Sequence, residues 1–168
     1  MKTDHVVRLS GASATILTFA FLGIAICAQS QTSDQATVIA SAKKAALAAV
    51  NFRQGDGASL KRARNDFTSE GWKSFIGHMQ GFLDQNGVPQ FSSTFAASKE
   101  PVFLGEDNGI VHFRIPGTLT QAQGGSKTVY RAALEVYAER DPMNHGASSI
   151  KIRQLNQVTC VGTSTACQ

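Results

Sequence analysis

The chain has 168 residues, of which 42% are hydrophobic and 17% charged, and its formal net charge is +4. This length excludes two full-sized domains, and the composition excludes a chain that is disordered throughout. The small basic excess is far below that of a nucleic-acid-binding tail, so we expect no nucleic-acid partner. The sequence has no phosphate-binding loop, dinucleotide fingerprint, HExxH or CxxC motif, and we therefore predict no cofactor.

The N-terminal segment is strongly apolar. No charged residue stands between Arg8 and Asp34, and residues 12–28 form the most apolar run of the chain. The positive flank and the small residues before a polar stretch predict a signal peptide cleaved after Ala28. An uncleaved membrane anchor is the alternative, because about 17 apolar residues are just enough to span a bilayer. The predicted layout is a signal peptide or anchor at 1–28, a linker at 29–35, a domain at 36–158 and a tail at 159–168.

Helical periodicity dominates the first half of the exported part. Residues 36–50 are rich in alanine and predict a first helix. A break follows at residues 54–57, after which we expect Ser59 to cap a short second helix and Thr68 to cap a third. The third helix has the strongest apolar stripe and ends at residues 86–89. The residues of this stripe are Trp72, Phe75, Ile76, Met79, Phe82 and Leu83.

From Phe91 onward the apolar period changes from 3.6 to 2, which indicates strands. Pro101 places part of the first strand at an edge or a bulge, and residues 106–109 predict a hairpin turn. The predicted strands cover residues 95–104, 110–120 and 130–138, with a last strand at Ile150 and Ile152. Helices followed by strands predict an α+β fold, in which N-terminal helices pack on one face of a curved antiparallel sheet of three to four strands.

The residues that could transfer protons are Asp66, His78, His112 and Tyr130. Periodicity places His78 off the apolar stripe of its helix and His112 on the polar face of its strand, beside Arg114, so we predict that both histidines are solvated. The sequence has no GxSxG motif, and its histidines do not fall at metal-ligand spacing. We therefore predict no catalytic residue and no metal site.

The last two cysteines, Cys160 and Cys167, lie in a tail rich in Gly, Ser and Thr. Outside the cytoplasm they could close a small disulfide loop. The alternative is a pair of exposed thiols, and the two alternatives depend on the compartment.

Two basic groups have open interpretations. Lys61, Arg62 and Arg64 would meet acidic lipid headgroups or a partner, or form the solvated face of their helix. Lys151 and Arg153 would pair with another subunit, or protect a sheet edge from aggregation.

The sequence Phe67-Thr68-Ser69-Glu70-Gly71-Trp72-Lys73-Ser74-Phe75 has the form FTxxGWxxF. It resembles the signature of the DotI/IcmL/TraM family, inner-membrane proteins of type IVB secretion and conjugation machines. In the same order, Arg114-Ile115-Pro116, the segment from Arg140 and the I-x-I-x-Q series from Ile150 resemble later parts of that family. The resemblance covers about residues 38–158.

The resemblance implies a membrane segment followed by a periplasmic domain with a nuclear-transport-factor-like cone. It also implies a non-enzymatic assembly component that contacts proteins of a secretion or conjugation complex, oligomerises, and resides in the periplasm or in the inner membrane facing it. The alternative is an exported small-ligand-binding protein or enzyme that uses the cavity of the cone, lined by Trp72 and Tyr130. The residues assigned a structural role are Phe67, Thr68, Gly71, Trp72, Phe75, Ile150, Ile152 and Gln154.

Overall fold

The computed structural model describes residues 34–141 and 149–160. The apolar segment at 1–28, the following residues to 33, and Cys167 lie outside the described residues. The described elements are α1 (34–50), α2 (Gly57–Ala63), α3 (Ser69–Met79), β1 (Ser92–Ala97), β2 (Val102–Asp107), β3 (Ile110–Gln123), β4 (Ser126–Arg140) and β5 (Ile150–Thr159). Single 3-10 turns follow α2 at Arg64–Asp66 and α3 at Gln80–Phe82.

Helix α1 buries a stripe of small residues. Val38, Ala42, Ala46 and Ala49 are all at most 4% exposed and belong to the core. These side chains recur every three to four residues, so they share one face of the helix. Because they are short, they allow the helix backbone to pack closely against its neighbours.

Helix α2 begins earlier than the sequence predicted. Its N-cap is Asp56, whose carboxylate accepts hydrogen bonds from the backbone N–H groups of Ala58 and Ser59, each at 3.1 Å. The prediction that Ser59 caps this helix was wrong. An ionised carboxylate at the N-cap satisfies two free N–H groups and faces the positive end of the helix dipole, which favours the earlier start.

Helix α3 begins as predicted, because the side chain of Thr68 accepts a 3.0 Å hydrogen bond from the backbone N–H of Gly71. Phe75 and Met79 are buried, and Trp72 packs against the core while partly exposed. Phe82 does not follow the predicted stripe: it lies in the 3-10 turn after the helix and is 52% exposed. The tighter turn changes the angular spacing, which displaces this side chain from the helical stripe.

The sheet is antiparallel, with the strand order β1-β3-β4-β5, and β2 also pairs with β3. The predicted strand 95–104 is two strands, so the sheet has five strands within residues 34–141 and 149–160. β1 pairs with residues 117–122 of β3, whereas β2 pairs with residues 110–114. The α+β architecture is as predicted, and its first edge is divided between two short strands.

Pro116 explains where that edge is interrupted. It lies in the middle of β3, opposite the gap between β1 and β2, and its carbonyl accepts a 2.9 Å hydrogen bond from Ser98. Backbone N–H and C=O groups of one strand residue point to the same side of the strand. The missing N–H of the proline therefore faces the gap, where no strand requires a donor. This position lets β3 continue past its proline to Gln123.

The turn between β2 and β3 has the predicted position. Asn108 and Gly109 both have positive φ values, 50° and 77°. Two such residues form the type I′ turn that joins hairpin strands with the right twist.

The helices and one face of the sheet share a single core. Val111, Phe113 and Ile115 are at most 3% exposed, as the alternation of β3 predicted. Their partners on β4, namely Ala138, Val136 and Leu134, are fully buried as well. These residues form the inner face of the sheet. Because side chains alternate along β3, His112 and Arg114 lie on the outer face.

Candidate functional site

The structure brings the two motifs of the sequence into direct contact. The backbone N–H of Thr68 donates a 3.0 Å hydrogen bond to the carbonyl of Ile152, and Phe67 forms a parallel bridge with the same residue. The start of α3 is thereby joined to the backbone of β5. We call this contact the α3–β5 junction.

Gly71 is required for the close approach at the α3–β5 junction. A Cβ atom at this position would lie 2.5 Å from the carbonyl oxygen of Ile152 and 2.7 Å from that of Arg153. Both carbonyl oxygens belong to the backbone of β5, so neither can move aside unless the strand itself shifts. Any side chain at Gly71 would force α3 and β5 apart.

Aromatic rings close the space beside this junction. Ring centroids lie 5.5 Å apart for Phe67 and Trp72, 5.4 Å for Phe67 and Phe75, and 5.7 Å for Trp72 and Phe75. These separations are typical of attractive aromatic pairs. All the aromatic residues of FTxxGWxxF therefore form one packed cluster.

The basic residues of β5 are engaged within the chain. Lys151 Nζ donates to the backbone carbonyl of Asn65 at 2.5 Å, and Arg153 lies 3.3 Å from Glu139 and 3.9 Å from Glu70. Arg153 thus links β5 to β4 and to the first turn of α3. Subunit pairing and edge protection both stay predictions for these two residues.

The other assigned residues take different positions. Ile150 and Ile152 are buried, while Gln154 is exposed and donates a 3.1 Å hydrogen bond to Asn156. Cys160 follows the end of β5, where its backbone N–H donates to the carbonyl of Arg131. Cys167 lies outside the described residues, so its disulfide with Cys160 stays a prediction.

A cavity of about 430 Å³ opens between the end of α1, α3 and the turn after it, the start of β1, the end of β3 and the second half of β5. We call it the mouth cavity. Its lining residues are Val50, Phe52, Phe75, His78, Met79, Phe82, Phe91, Ser93, Gln121, Leu155, Asn156 and Gln157. Trp72 and Tyr130, which the sequence placed at such a cavity, do not line it.

Most of this lining has no signal in the local sequence pattern. Phe52, Phe91 and Gln121 come from three separate parts of the chain, and no periodicity connects them. Phe91 preceded the first predicted strand, while Phe52 followed the first predicted helix. The only signal in the sequence was that aromatic residues stand next to the predicted breaks between helices and strands.

Of the four proton-transfer candidates, His78 is exposed, as predicted, and borders the mouth cavity. His112 differs from its prediction. Its ring stacks on Tyr137 with centroids 4.0 Å apart, and its Nε2 atom is buried without a hydrogen-bond partner in the described part of the chain. The residues are direct cross-strand partners, so the tyrosine ring shields the histidine from water.

The outer face next to His112 carries an internal ion pair. Arg114 lies 2.5 Å from Glu135, its cross-strand partner, and both side chains are at most 25% exposed. The guanidinium donates through two nitrogens to the same carboxylate oxygen. The pair neutralises both charges within the sheet, so this face carries no unpaired charge at this point.

Within residues 34–141 and 149–160, no group of three or more His, Cys, Asp or Glu side chains could hold a metal ion. In the same residues, no helix is both long and apolar enough to cross a membrane.

No protein-family model matches the chain, and no significant match is found among curated proteins. Similar folds are found among solved structures. The periplasmic domain of DotI is 22% identical with a TM-score of 0.58, and the match covers 71% of this chain and 91% of that domain.

Two further structures are similar to the same degree. A periplasmic fragment of TraM is 14% identical with a TM-score of 0.59, over 75% of this chain and 98% of the fragment. An IcmL-like type IV secretion system protein from Legionella pneumophila subsp. pneumophila str. Philadelphia 1 is 12% identical with a TM-score of 0.58. That match covers 77% of this chain and 96% of the IcmL-like chain. The resemblance seen in the sequence is thus confirmed at the level of the fold.

Proposed function

We propose that this chain is an exported, non-enzymatic assembly component of a type IV secretion or conjugation apparatus, and that it acts through protein contacts. The observation that carries the proposal is the shared fold with DotI, TraM and IcmL-like domains, each matched over more than 90% of its length. The FTxxGWxxF motif supports it as well, because it resembles the signature of the DotI/IcmL/TraM family. In this proposal residues 1–28 are a signal peptide or an inner-membrane anchor, and the domain lies in the periplasm.

A surface for such contacts is available on β2. Val102, Phe103 and Leu104 are consecutive and are 40–44% exposed. β2 pairs only with β3 among the described strands, so its other edge has backbone groups free for a further strand. An open edge that carries an apolar run suits strand addition by a partner or by a second copy of the chain.

The experiment is affinity capture of the full chain from the membrane and periplasmic fractions of a Gram-negative host with an active transfer apparatus. The captured proteins are identified by mass spectrometry. We expect other transfer components, a second copy of the chain, or both. Recovery of neither, together with undiminished transfer when the chain is deleted, would contradict the proposal.

A matched pair of variants locates the contact. The double variant Val102→Thr and Leu104→Thr places β-branched residues at both positions but removes apolar surface. The control is Val129→Thr, which changes a residue of β4 that is 58% exposed. We expect the double variant to lose the captured partner and the control to retain it.

A further inference from the structure

The mouth cavity has the size and the walls of a small-molecule site. Its volume of about 430 Å³ lies within the range of roughly 300–1,000 Å³ that is usual for ligand pockets. Phe52, Phe82 and Phe91 form a continuous aromatic wall, with ring centroids 5.1 Å and 5.3 Å apart. Phe75, Met79 and Leu155 add further apolar surface.

The charge of the lining restricts the ligand. None of the twelve lining residues is Asp, Glu, Lys or Arg. A charged group that entered would lose hydration without gaining an opposite charge, which is costly. The cavity therefore selects neutral molecules.

The polar groups are uncharged amides, a hydroxyl and one imidazole. They belong to His78, Ser93, Gln121, Asn156 and Gln157. His78 Nδ1 lies 2.8 Å from the backbone carbonyl of Ser74, and a carbonyl only accepts, so Nδ1 donates. In the neutral ring the other nitrogen, Nε2, is then a hydrogen-bond acceptor. A ligand with one neutral donor group would complement it.

The exposure of Phe82 supports a site that is open to ligands. This side chain is 52% exposed although it packs on Phe91, within a wall that is otherwise buried. A ligand that lies in the cavity would cover part of this ring. Large aromatic rings give much contact area when they are buried by a ligand.

We propose that the mouth cavity binds a neutral, mainly apolar small molecule that contains an aromatic ring and one hydrogen-bond donor. The site uses Phe52, Phe82 and Phe91 for stacking and the polar rim for orientation. This inference does not depend on the role in secretion, because it rests on the cavity alone.

The test uses two dyes that differ in charge. N-phenyl-1-naphthylamine is neutral and has one N–H donor, whereas 8-anilino-1-naphthalenesulfonate has the same rings with an added sulfonate. Each is titrated into the purified full chain, and its fluorescence is recorded. We expect saturable binding of the neutral dye at one site per chain. The affinity for the sulfonate dye should be lower by a factor of at least about ten, which corresponds to a difference in binding free energy of about 1.4 kcal/mol.

A pair of variants on one strand locates the binding. Gln121→Trp adds a large side chain to the cavity lining, while Gln123→Trp adds it two residues further along β3, where the exposed residue does not line the cavity. Circular dichroism verifies that both variants fold. We expect Gln121→Trp to weaken binding of the neutral dye at least about tenfold, and Gln123→Trp to leave it unchanged.

Each of the following results would overturn the inference. These are no saturable binding of the neutral dye, equal affinity for both dyes, or the same loss of binding in both tryptophan variants. Retained binding in Gln121→Trp would also overturn it, because the dye would then bind elsewhere on the chain.

Discussion

The α3–β5 junction and the mouth cavity lie at two ends of the same helix but are built in different ways. At the junction, a glycine brings the helix start so close to the strand that no Cβ atom would fit. At the other end, the helix passes into a 3-10 turn and a cavity of about 430 Å³ remains. Both ends use phenylalanine: Phe67 and Phe75 are buried at the junction, whereas Phe82 is half-exposed at the mouth.

This difference separates stability from the capacity to bind. Backbone contact and packed rings position α3 firmly on the sheet at its start. The far end then keeps apolar surface open because the helix is already anchored elsewhere. Substitutions at the junction should therefore reduce folding stability, and substitution of the half-exposed Phe82 at the mouth should affect stability little.

The largest expected effect comes from two phenylalanines. Phe67→Ala removes a ring that is 5% exposed and contacts both Trp72 and Phe75, so it should lower the free energy of unfolding by about 4 kcal/mol. Phe82→Ala removes a ring that is 52% exposed and should cost about 1 kcal/mol or less. Urea unfolding of the two variants measures the difference. Equal losses would mean that the two ends do not differ in packing.

A smaller effect is expected from two glycines on α3. Gly71→Ala places a methyl group against the carbonyls of β5 and should destabilise the fold by about 2–3 kcal/mol. Gly77→Ala meets no atom within 4 Å and should raise stability by about 0.5–1 kcal/mol, because alanine is the better helix former. Thermal unfolding followed by circular dichroism compares them. The idea of a tight junction fails if both variants are stabilised.

Loss of the cap of α3 should lower the free energy of unfolding less than Gly71→Ala does. Thr68→Ala removes the acceptor for the Gly71 N–H and should cost about 1 kcal/mol. Thr68→Ser keeps the hydroxyl and should restore most of this loss. The measurement is the midpoint of urea unfolding for the three proteins. A serine variant as unstable as the alanine variant would argue that the methyl group, and not the cap, matters.

The smallest effect concerns the cap of α2, which lies away from both ends of α3. Hydrogen bonds from the Ser59 hydroxyl and then the Ser59 backbone lower the pKa of Asp56 below its ordinary value of 3.8. Because the folded pKa is the lower one, the ionised carboxylate contributes stability above pH 3.8, and this contribution is lost as the pH falls through the folded value.

Asp56→Asn provides the comparison, since asparagine caps a helix without a charge. Unfolding free energies of both proteins are measured at neutral pH and at about pH 3. We expect a small advantage of the native chain at neutral pH that shrinks on acidification. An advantage that does not change with pH would exclude the charge as its source.

Several features of the fold follow from local patterns in the sequence. The 3.6-residue stripe of α3, the alternation in β3 and the Asn108-Gly109 turn depend on neighbouring residues, so the sequence predicts them well. The split between β1 and β2 was only partly visible. Pro101 indicated an edge, but the second cause is Pro116, which lies in another strand.

The candidate site depends on contacts between distant segments. Helical periodicity placed Phe82 in the core stripe, and alternation left His112 in water. The structure turns Phe82 outward through a 3-10 turn and covers His112 with Tyr137 from the next strand. Neither outcome is encoded in the spacing of nearby residues.

The sequence by itself determined the order of helices and strands, the cap at Thr68 and the resemblance carried by FTxxGWxxF, because each is a local pattern of side chains along the backbone. Only the tertiary structure decided that Gly71 meets the carbonyls of β5, and that Phe52, Phe91 and Gln121 surround one cavity. The physical reason is that these contacts join segments far apart in the chain, and their geometry is set by how the sheet pairs and how closely the helix packs on it.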